Sequence, residues 1–551
     1  MVRFSASISG SEYSIKSTGL NEFKTRTHSF YLCGMKGQEK KFIKDGNDPL
    51  LLLREYRGVC VKVTDSRVEV INDPFGSVPL FICARAGLVL IDSDFSFVKD
   101  VDVTIDVAGC YEVLMYEAGL FDRTPFREIK QMPAASRASI NLVTGEISIE
   151  PHWDYCITMD ETVKTDEDAI DRVWARLSEI YGGYDSARYL MGLSGGLDSR
   201  LSLYCLASAN RLEKIDSFTF GHDQSIKDYT LAVETCKRLG VDVPVFYKLD
   251  ESTYRDSMRL PLISGGNIGA IHGHIYWSLG RMSLSESTLI SNYYSDAVMG
   301  YDCRPTDTDI PEESDYFKRL KENIWNASSE VYNVIEEDLW KIIHRRSMPD
   351  NYSGYNEFIY ITERNPKFHM QLSYLYSKLI DVETPFADYE LLRDVISLRK
   401  EIRYYKRIER MILNHKLGGY EDISSMRYAG HDPSEAGWTE KMKYDIGFAR
   451  MKLLNRANSA LAAVSGGRMQ IPNPYITENL LAAFYYFSEK EKAIADGILC
   501  DRLRLFPNRN PLEGRIIRTA DAVRGFAMLG LANMLSYYMD GKELINNKND
   551  L

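Results

Sequence analysis

No apolar run in the chain reaches the roughly 18 residues that a membrane-spanning helix needs, and the opening Met-Val-Arg-Phe-Ser-Ala-Ser lacks the long apolar core of a secretory leader. The expectation is a cytoplasmic protein without membrane contact. Positive charge is in deficit: 67 Lys and Arg face 78 Asp and Glu, for a net charge of -11. An acidic chain offers no general field to a nucleic-acid backbone, so no nucleic acid is expected as a partner. Cysteine is sparse and solitary, at positions 33, 60, 83, 110, 156, 205, 236, 303 and 500, with no Cys-x-x-Cys pair and an odd total. That argues against a disulfide framework or a zinc site and makes the cysteines small buried hydrophobes by expectation. Internal repeats and low-complexity tracts are lacking too.

What is present suits a globular protein of more than one core, since 551 residues with 44% hydrophobic content exceed what a single core supports. Up to about residue 155 the pattern is short apolar or alternating runs broken by turns, with one helix over 106–116, which reads as a sheet domain. A polar, acidic stretch over 158–171 suits a linker. Helical and strand patterns then alternate: helix 173–181, strand 188–193, helix 200–208, strand 214–220, helix 226–239, strand 243–249. Strand-helix-strand at these spacings predicts a parallel sheet, and beyond about residue 310 nearly everything reads as helix.

Residues 193–200 read Leu-Ser-Gly-Gly-Leu-Asp-Ser-Arg, between a predicted strand and a predicted helix. The plain reading is a strand-to-helix turn with Asp198 as the cap. The chemical reading is a phosphate cradle at the carboxyl end of a parallel strand. Gly195 and Gly196 let backbone N-H groups approach an anion, Ser194 and Ser199 add hydroxyls, and the helix start is electropositive. Asp198 suits such a site only if a divalent cation lies between it and the phosphates. This is not the Walker pattern, which needs Gly-Lys-Ser or Gly-Lys-Thr.

Ser194-Gly-Gly-Leu-Asp-Ser199 resembles the pyrophosphate loop of the ATP pyrophosphatases, and later segments are similar to the asparagine synthetase and beta-lactam synthetase family within that superfamily. The segment 217–221, Ser-Phe-Thr-Phe-Gly, resembles that family's second strand. By that resemblance Phe220 and Gly221 contact the adenine, and Leu193, Ser291 and Asn292 join the nucleotide site. Residues 289–296, Leu-Ile-Ser-Asn-Tyr-Tyr-Ser-Asp, are similar to its second signature, Ser-Gly-Glu-Gly-Ser-Asp-Glu after an apolar strand. The match implies Asp296 and Asp198 as Mg2+ ligands. Asn292 and Tyr294 stand where glycines are usual, Ala297 replaces an acidic residue, and Tyr293 stands where asparagine synthetases carry Glu.

A tyrosine there resembles the beta-lactam synthetases, in which it works with a glutamate to take a proton from the attacking nitrogen. Glu363 is the candidate partner, with a solvated helix face as its plain reading. Residues 384–388, Thr-Pro-Phe-Ala-Asp, resemble the family's Pro-Phe-Leu-Asp, and Lys406, Arg407 and Arg410 fall where the family has a basic helix start. The family's catalytic lysine has no counterpart around 424–430; Arg427 is the candidate, with Lys441 or Lys443 as alternatives.

Asn72-Asp-Pro-Phe-Gly76, Pro79-Leu80, Ser93-Asp94 and Trp153 follow the order of the family's glutamine-hydrolysing domain, an Ntn-type, class II amidotransferase fold. Its nucleophile is a cysteine at position 2; here Val2 stands there, so glutamine hydrolysis is not expected. The resemblance implies an inactive glutaminase-like layered β-sheet domain over 1–157 and, over 165–551, a doubly wound parallel-sheet α/β synthetase domain with a helical extension. It implies an AMP-forming carbon-nitrogen ligase with ATP and Mg2+ as cofactors. Its partners are then a small-molecule or peptide carboxylate and an amine, whether intramolecular, intermolecular or free ammonia, and a homodimer stays open. Two other readings remain: a tRNA-modifying ATP pyrophosphatase and a degenerate, non-catalytic regulator.

Overall fold

The computed structural model describes residues 1–9, 12–18, 20–24, 29–33, 53, 57–64, 66–282, 286–323, 327–417, 438–465, 469, 471, 473–474, 480–503, 519–541 and 544. Among these residues the fold is mixed α/β with three sheets.

Two sheets are antiparallel. One has the order β2-β1-β8-β7-β9, from β1 (Arg3–Ser9), β2 (Glu12–Thr18), β7 (Phe81–Arg85), β8 (Leu88–Asp92) and β9 (Lys130–Gln131). The other runs β11-β10-β6-β5-β4-β3, from β3 (Asn21–Lys24), β4 (Ser29–Cys33), β5 (Val59–Val63), β6 (Arg67–Asn72), β10 (Ser136–Asn141) and β11 (Ile147–Pro151). Their alternation is the period of two seen in the sequence: in β10, Ser136, Ala138 and Ile140 are buried while Arg137, Ser139 and Asn141 are partly exposed. Inward residues of both sheets, among them Val2, Phe4, Val61, Val70, Ile82, Ile91 and Ile140, share one core. Val2 is 2% exposed, and its amide donates to Ser93 Oγ at 2.8 Å.

The third sheet is parallel, in the order β14-β13-β12-β15-β16. Its strands are β12 (Arg188–Gly192), β13 (Ile215–Gly221), β14 (Val245–Lys248), β15 (Ser287–Ile290) and β16 (Asp381–Glu383). Central strand β12 is apolar on both faces: Tyr189 and Met191 enter one core and Leu190 another. The chain moves outward from β12 to β14 and then returns to place β15 on the other side of β12. The order therefore reverses between β12 and β15, where an open parallel sheet leaves a crevice.

The predicted helices over 106–116, 173–181, 200–208 and 226–239 correspond to Val107–Tyr116, Asp166–Gly182, Leu197–Ser208 and Lys227–Leu239. Asp166–Gly182 starts on a capping box in which Thr165 and Asp168 satisfy each other's backbone amides. Strand β16 escapes sequence reading because it has three residues and only one of them is apolar. Although the sheets divide by sequence into 3–151 and 188–383, the cores do not: Phe75 and Ala135 belong to the core beneath β12, and helix Thr519–Asp540 packs against Val107–Tyr116. Six of the described cysteines are buried, whereas Cys156 is exposed. Among the described residues no helix is long and apolar enough to cross a membrane.

Candidate functional site

At the strand-order reversal lies a cleft of about 250 Å³, lined by the loops that follow β12 and β15. In the first loop Ser194 N donates to Ser199 Oγ and Gly196 N to Ser194 Oγ, each at 3.1 Å. Arg200, 1% exposed, donates from below to the carbonyls of Gly195 and Gly196, each at 3.0 Å. In a trans peptide the carbonyl and the next N-H point opposite ways, so holding these carbonyls down turns the amides of Gly196 and Leu197 away from Arg200. Asp228, on the next helix, accepts from Gly195 N at 3.1 Å. That carboxylate occupies the Gly195 amide.

The second loop is tied to the helix Leu197–Ser208 and to β16. Ser202 Oγ donates to Asn292 Oδ1 at 2.5 Å, and Ser291 N donates to Glu383 O at 2.8 Å. Tyr294 takes a left-handed backbone with φ 80, a conformation that glycine adopts without strain. The turn keeps glycine's geometry without glycine. Asp296 then opens the short helix Ser295–Val298.

Charge concentrates where the loops meet. Lys406 Nζ stands 2.5 Å from Asp198 Oδ1, 2.5 Å from Asp296 Oδ1 and 3.5 Å from Glu409 Oε2. Burial works against this ammonium, yet the charges of Asp198, Asp296 and Glu409 hold its pKa well above the usual lysine range. Burial and the charge of Asp198 push the Glu409 carboxyl well above the usual carboxylate range despite Lys406. Arg407 turns away to pair with Asp166 at 2.6 Å. Among the described residues no cluster of three or more His, Cys, Asp or Glu is shaped for a metal. Two carboxylates converging on one cation nevertheless fit Mg2+, which takes one or two protein carboxylates and completes its shell with water and phosphate oxygens.

Leu193, Ser194, Asp198, Ser199, Phe220, Ser291, Asn292, Tyr293 and Asp296 all line this cleft, with Phe218, Ile275, Leu289 and Tyr376 as apolar wall. Gly195 and Gly196 form the loop beside it. Gly221 ends β13, where its carbonyl accepts from Leu249 N at 2.8 Å. Phe220 packs on His274 with ring centroids 4.2 Å apart.

Glu363 is not among the residues that line the cleft. Its carboxylate meets Arg345 at 3.2 Å, Arg346 at 3.3 Å and Lys367 at 3.8 Å, in a nearly closed cluster. Tyr293 instead shares a hydrogen bond with the Tyr376 hydroxyl at 3.1 Å, and its ring stacks on His369 at 5.1 Å. The helix here is π-helical over Tyr360–Arg364 and Pro366–Met370, so its wider turns present a different residue to the cleft than a 3.6-residue period does. Burial, reinforced by the charges of Arg364 and His272, drives His369 down to about 3, so its imidazole is neutral. Arg427 lies outside the described residues, as do the side chains of Lys441 and Lys443. Sequence reasoning placed Lys406 on a basic helix start without assigning it to the site, and it missed Tyr376 and His369 altogether. No local pattern marks these residues: Lys406 is the second of two left-handed residues in succession, with φ 51 at Tyr405 and 63 at Lys406.

No family model matches the chain, and no curated protein matches it. One similar solved structure is described as the allosteric regulatory enzyme of purine biosynthesis, with 8% identity and a TM-score of 0.18 over 35% of this chain and 54% of that one. Another is glutamine phosphoribosylpyrophosphate amidotransferase from B. subtilis complexed with ADP and GMP, with 8% identity and a TM-score of 0.17 over 54% of this chain and 71% of that one. The chain thus spans about half the length of the first. Likenesses this slight assign neither fold nor activity.

Proposed function

We propose that the chain is an ATP-dependent amide ligase that transfers AMP to a substrate carboxylate, releases pyrophosphate and lets an amine displace the AMP. The observation that carries this reading is the convergence of Asp198 and Asp296, from two loops at the strand-order reversal, on one cation beside a Ser-Gly-Gly turn. On this reading the hydroxyls of Ser194 and Ser199 and the amides of Gly195 and Gly196 bind phosphate oxygens, with Asp228 yielding the Gly195 amide and Ser194 Oγ the Gly196 amide. Phe220 meets the base. Asp198 and Asp296 would hold Mg2+, which would neutralise charge on the leaving pyrophosphate. Lys406 adds a fixed positive charge and takes the role for which the sequence offered Arg427. Tyr293 lacks a carboxylate assistant in Glu363, and an ordinary phenol is a poor base near neutrality. Its part is to orient the amine, steadied by Tyr376.

A second reading, a non-catalytic regulator of this fold, is favoured by the same ammonium: Lys406 already stands where a metal would bridge the two carboxylates. ATP-pyrophosphate isotope exchange, stimulated by candidate carboxylates, separates the two. The ligase reading expects exchange in the wild type and none in Asp198→Asn. ATP binding without exchange under any carboxylate supports the regulator.

A further inference from the structure

Residues 72–76, Asn-Asp-Pro-Phe-Gly, leave the antiparallel sheets after β6 and deliver one ring to a different core. Phe75, 2% exposed, belongs to the same core as Tyr155, Tyr294, Ala297, Tyr352 and Ile361, apart from the core of the antiparallel sheets that holds Phe4. Its ring meets that of Tyr294 edge-on, with centroids 5.1 Å apart at 84°. The turn that carries it is braced. Asp73 accepts from the amides of Gly58 and Phe75, each at 2.8 Å, and the Tyr155 hydroxyl donates to Pro74 O. Gly76, at φ +59, seats the turn so closely that an added Cβ would lie 3.3 Å from both Ala134 and Pro366.

Tyr294 needs a brace. A bulky residue in the left-handed region is strained and persists only where its surroundings over-determine it. Its hydroxyl donates to Ile361 O at 2.7 Å, and its ring is met by Phe75. The turn is hydrogen-bonded as one piece: Ser295 N donates to Asn292 O at 3.2 Å, Val298 N to Tyr294 O at 3.1 Å and Tyr301 N to Asp296 O at 2.8 Å. Asp296 therefore moves with Tyr294.

We infer that Phe75 is a positioning residue for the Asp296 carboxylate: the antiparallel sheets, which bring no nucleophile at Val2, serve the cleft by clamping Tyr294 in place. The consequence for activity rests on the ligase reading above. The test compares Phe75→Leu with Phe4→Leu, an equivalent truncation in the other core. Phe75→Leu is expected to lower kcat for ATP-pyrophosphate exchange about tenfold, since small misplacements of reacting groups are costly. It is also expected to raise several-fold the Mg2+ concentration that half-saturates ATP binding by calorimetry. Phe4→Leu loses thermal stability and keeps both values. Unchanged exchange and Mg2+ dependence in folded Phe75→Leu overturn the role, as does an equal loss in both variants. Should Phe75→Leu fail to fold, Phe75→Met, closer in volume, is held to the same criteria. A wild type without exchange overturns the ligase reading instead, and the positioning role is then decided by Mg2+-dependent ATP binding alone.

Discussion

Lys406 and Asp198, 208 residues apart in sequence, meet ammonium to carboxylate at 2.5 Å. The same ammonium touches Asp296, so one buried lysine joins the two loops of the cleft.

Removing that lysine leaves two carboxylates facing each other with no cation between them. Lys406→Met is expected to destabilise the fold by roughly 1–3 kcal/mol, less than for a fully buried ion pair, because Asp198 and Asp296 keep part of their contact with water. If the carboxylates also form a Mg2+ site, millimolar Mg2+ raises the melting temperature of Lys406→Met more than that of the wild type. Equal shifts in scanning calorimetry would remove the metal assignment.

Tyr293 and Glu363 are expected to behave differently, because they lie in different environments. Tyr293→Phe slows amide formation and spares ATP-pyrophosphate exchange. Glu363→Gln leaves Arg345, Arg346 and Lys367 without their carboxylate and costs about 3–5 kcal/mol of stability, with little change in the exchange rate of the folded fraction. Chemical denaturation paired with the kinetics of exchange and of amide formation checks both. A Glu363→Gln variant that is stable but slow in amide formation would restore the glutamate to the site.

Acid sensitivity follows from His369. Its folded pKa of about 3 lies below the 6.5 of an exposed histidine, so between those values the unfolded chain binds a proton that the folded one refuses. Stability from this group is complete above about pH 6.5 and declines as pH falls toward 3, by at most about 1.4 kcal/mol per pH unit. His369→Gln, which cannot take up the proton, should flatten that part of the profile of melting temperature against pH. An unchanged slope would show that other groups set it.

Much of the cleft was legible because its parts are local. The Ser-Gly-Gly-Leu-Asp-Ser turn announces itself between an apolar strand and a helix, and the strand before Ser291 is equally plain. What was not legible depends on geometry that a sequence pattern does not carry. Glu363 looked like a partner for Tyr293 until π-helical turns gave the facing position to His369. Lys406 reaches the carboxylates through two consecutive left-handed residues, neither of them glycine. Tyr294 concealed a glycine-like turn behind the wrong side chain, and Phe75 read as part of a turn in one sheet domain while packing into the core of the other.

The most direct test of the central claim is the identity of the products. The protein is incubated with Mg-ATP, a panel of carboxylates and amines, and the phosphorus products are resolved by nuclear magnetic resonance or chromatography. The ligase reading predicts AMP and pyrophosphate in equal amounts, released only when a carboxylate is present and absent with Asp198→Asn. Accumulation of ADP and inorganic phosphate would contradict it.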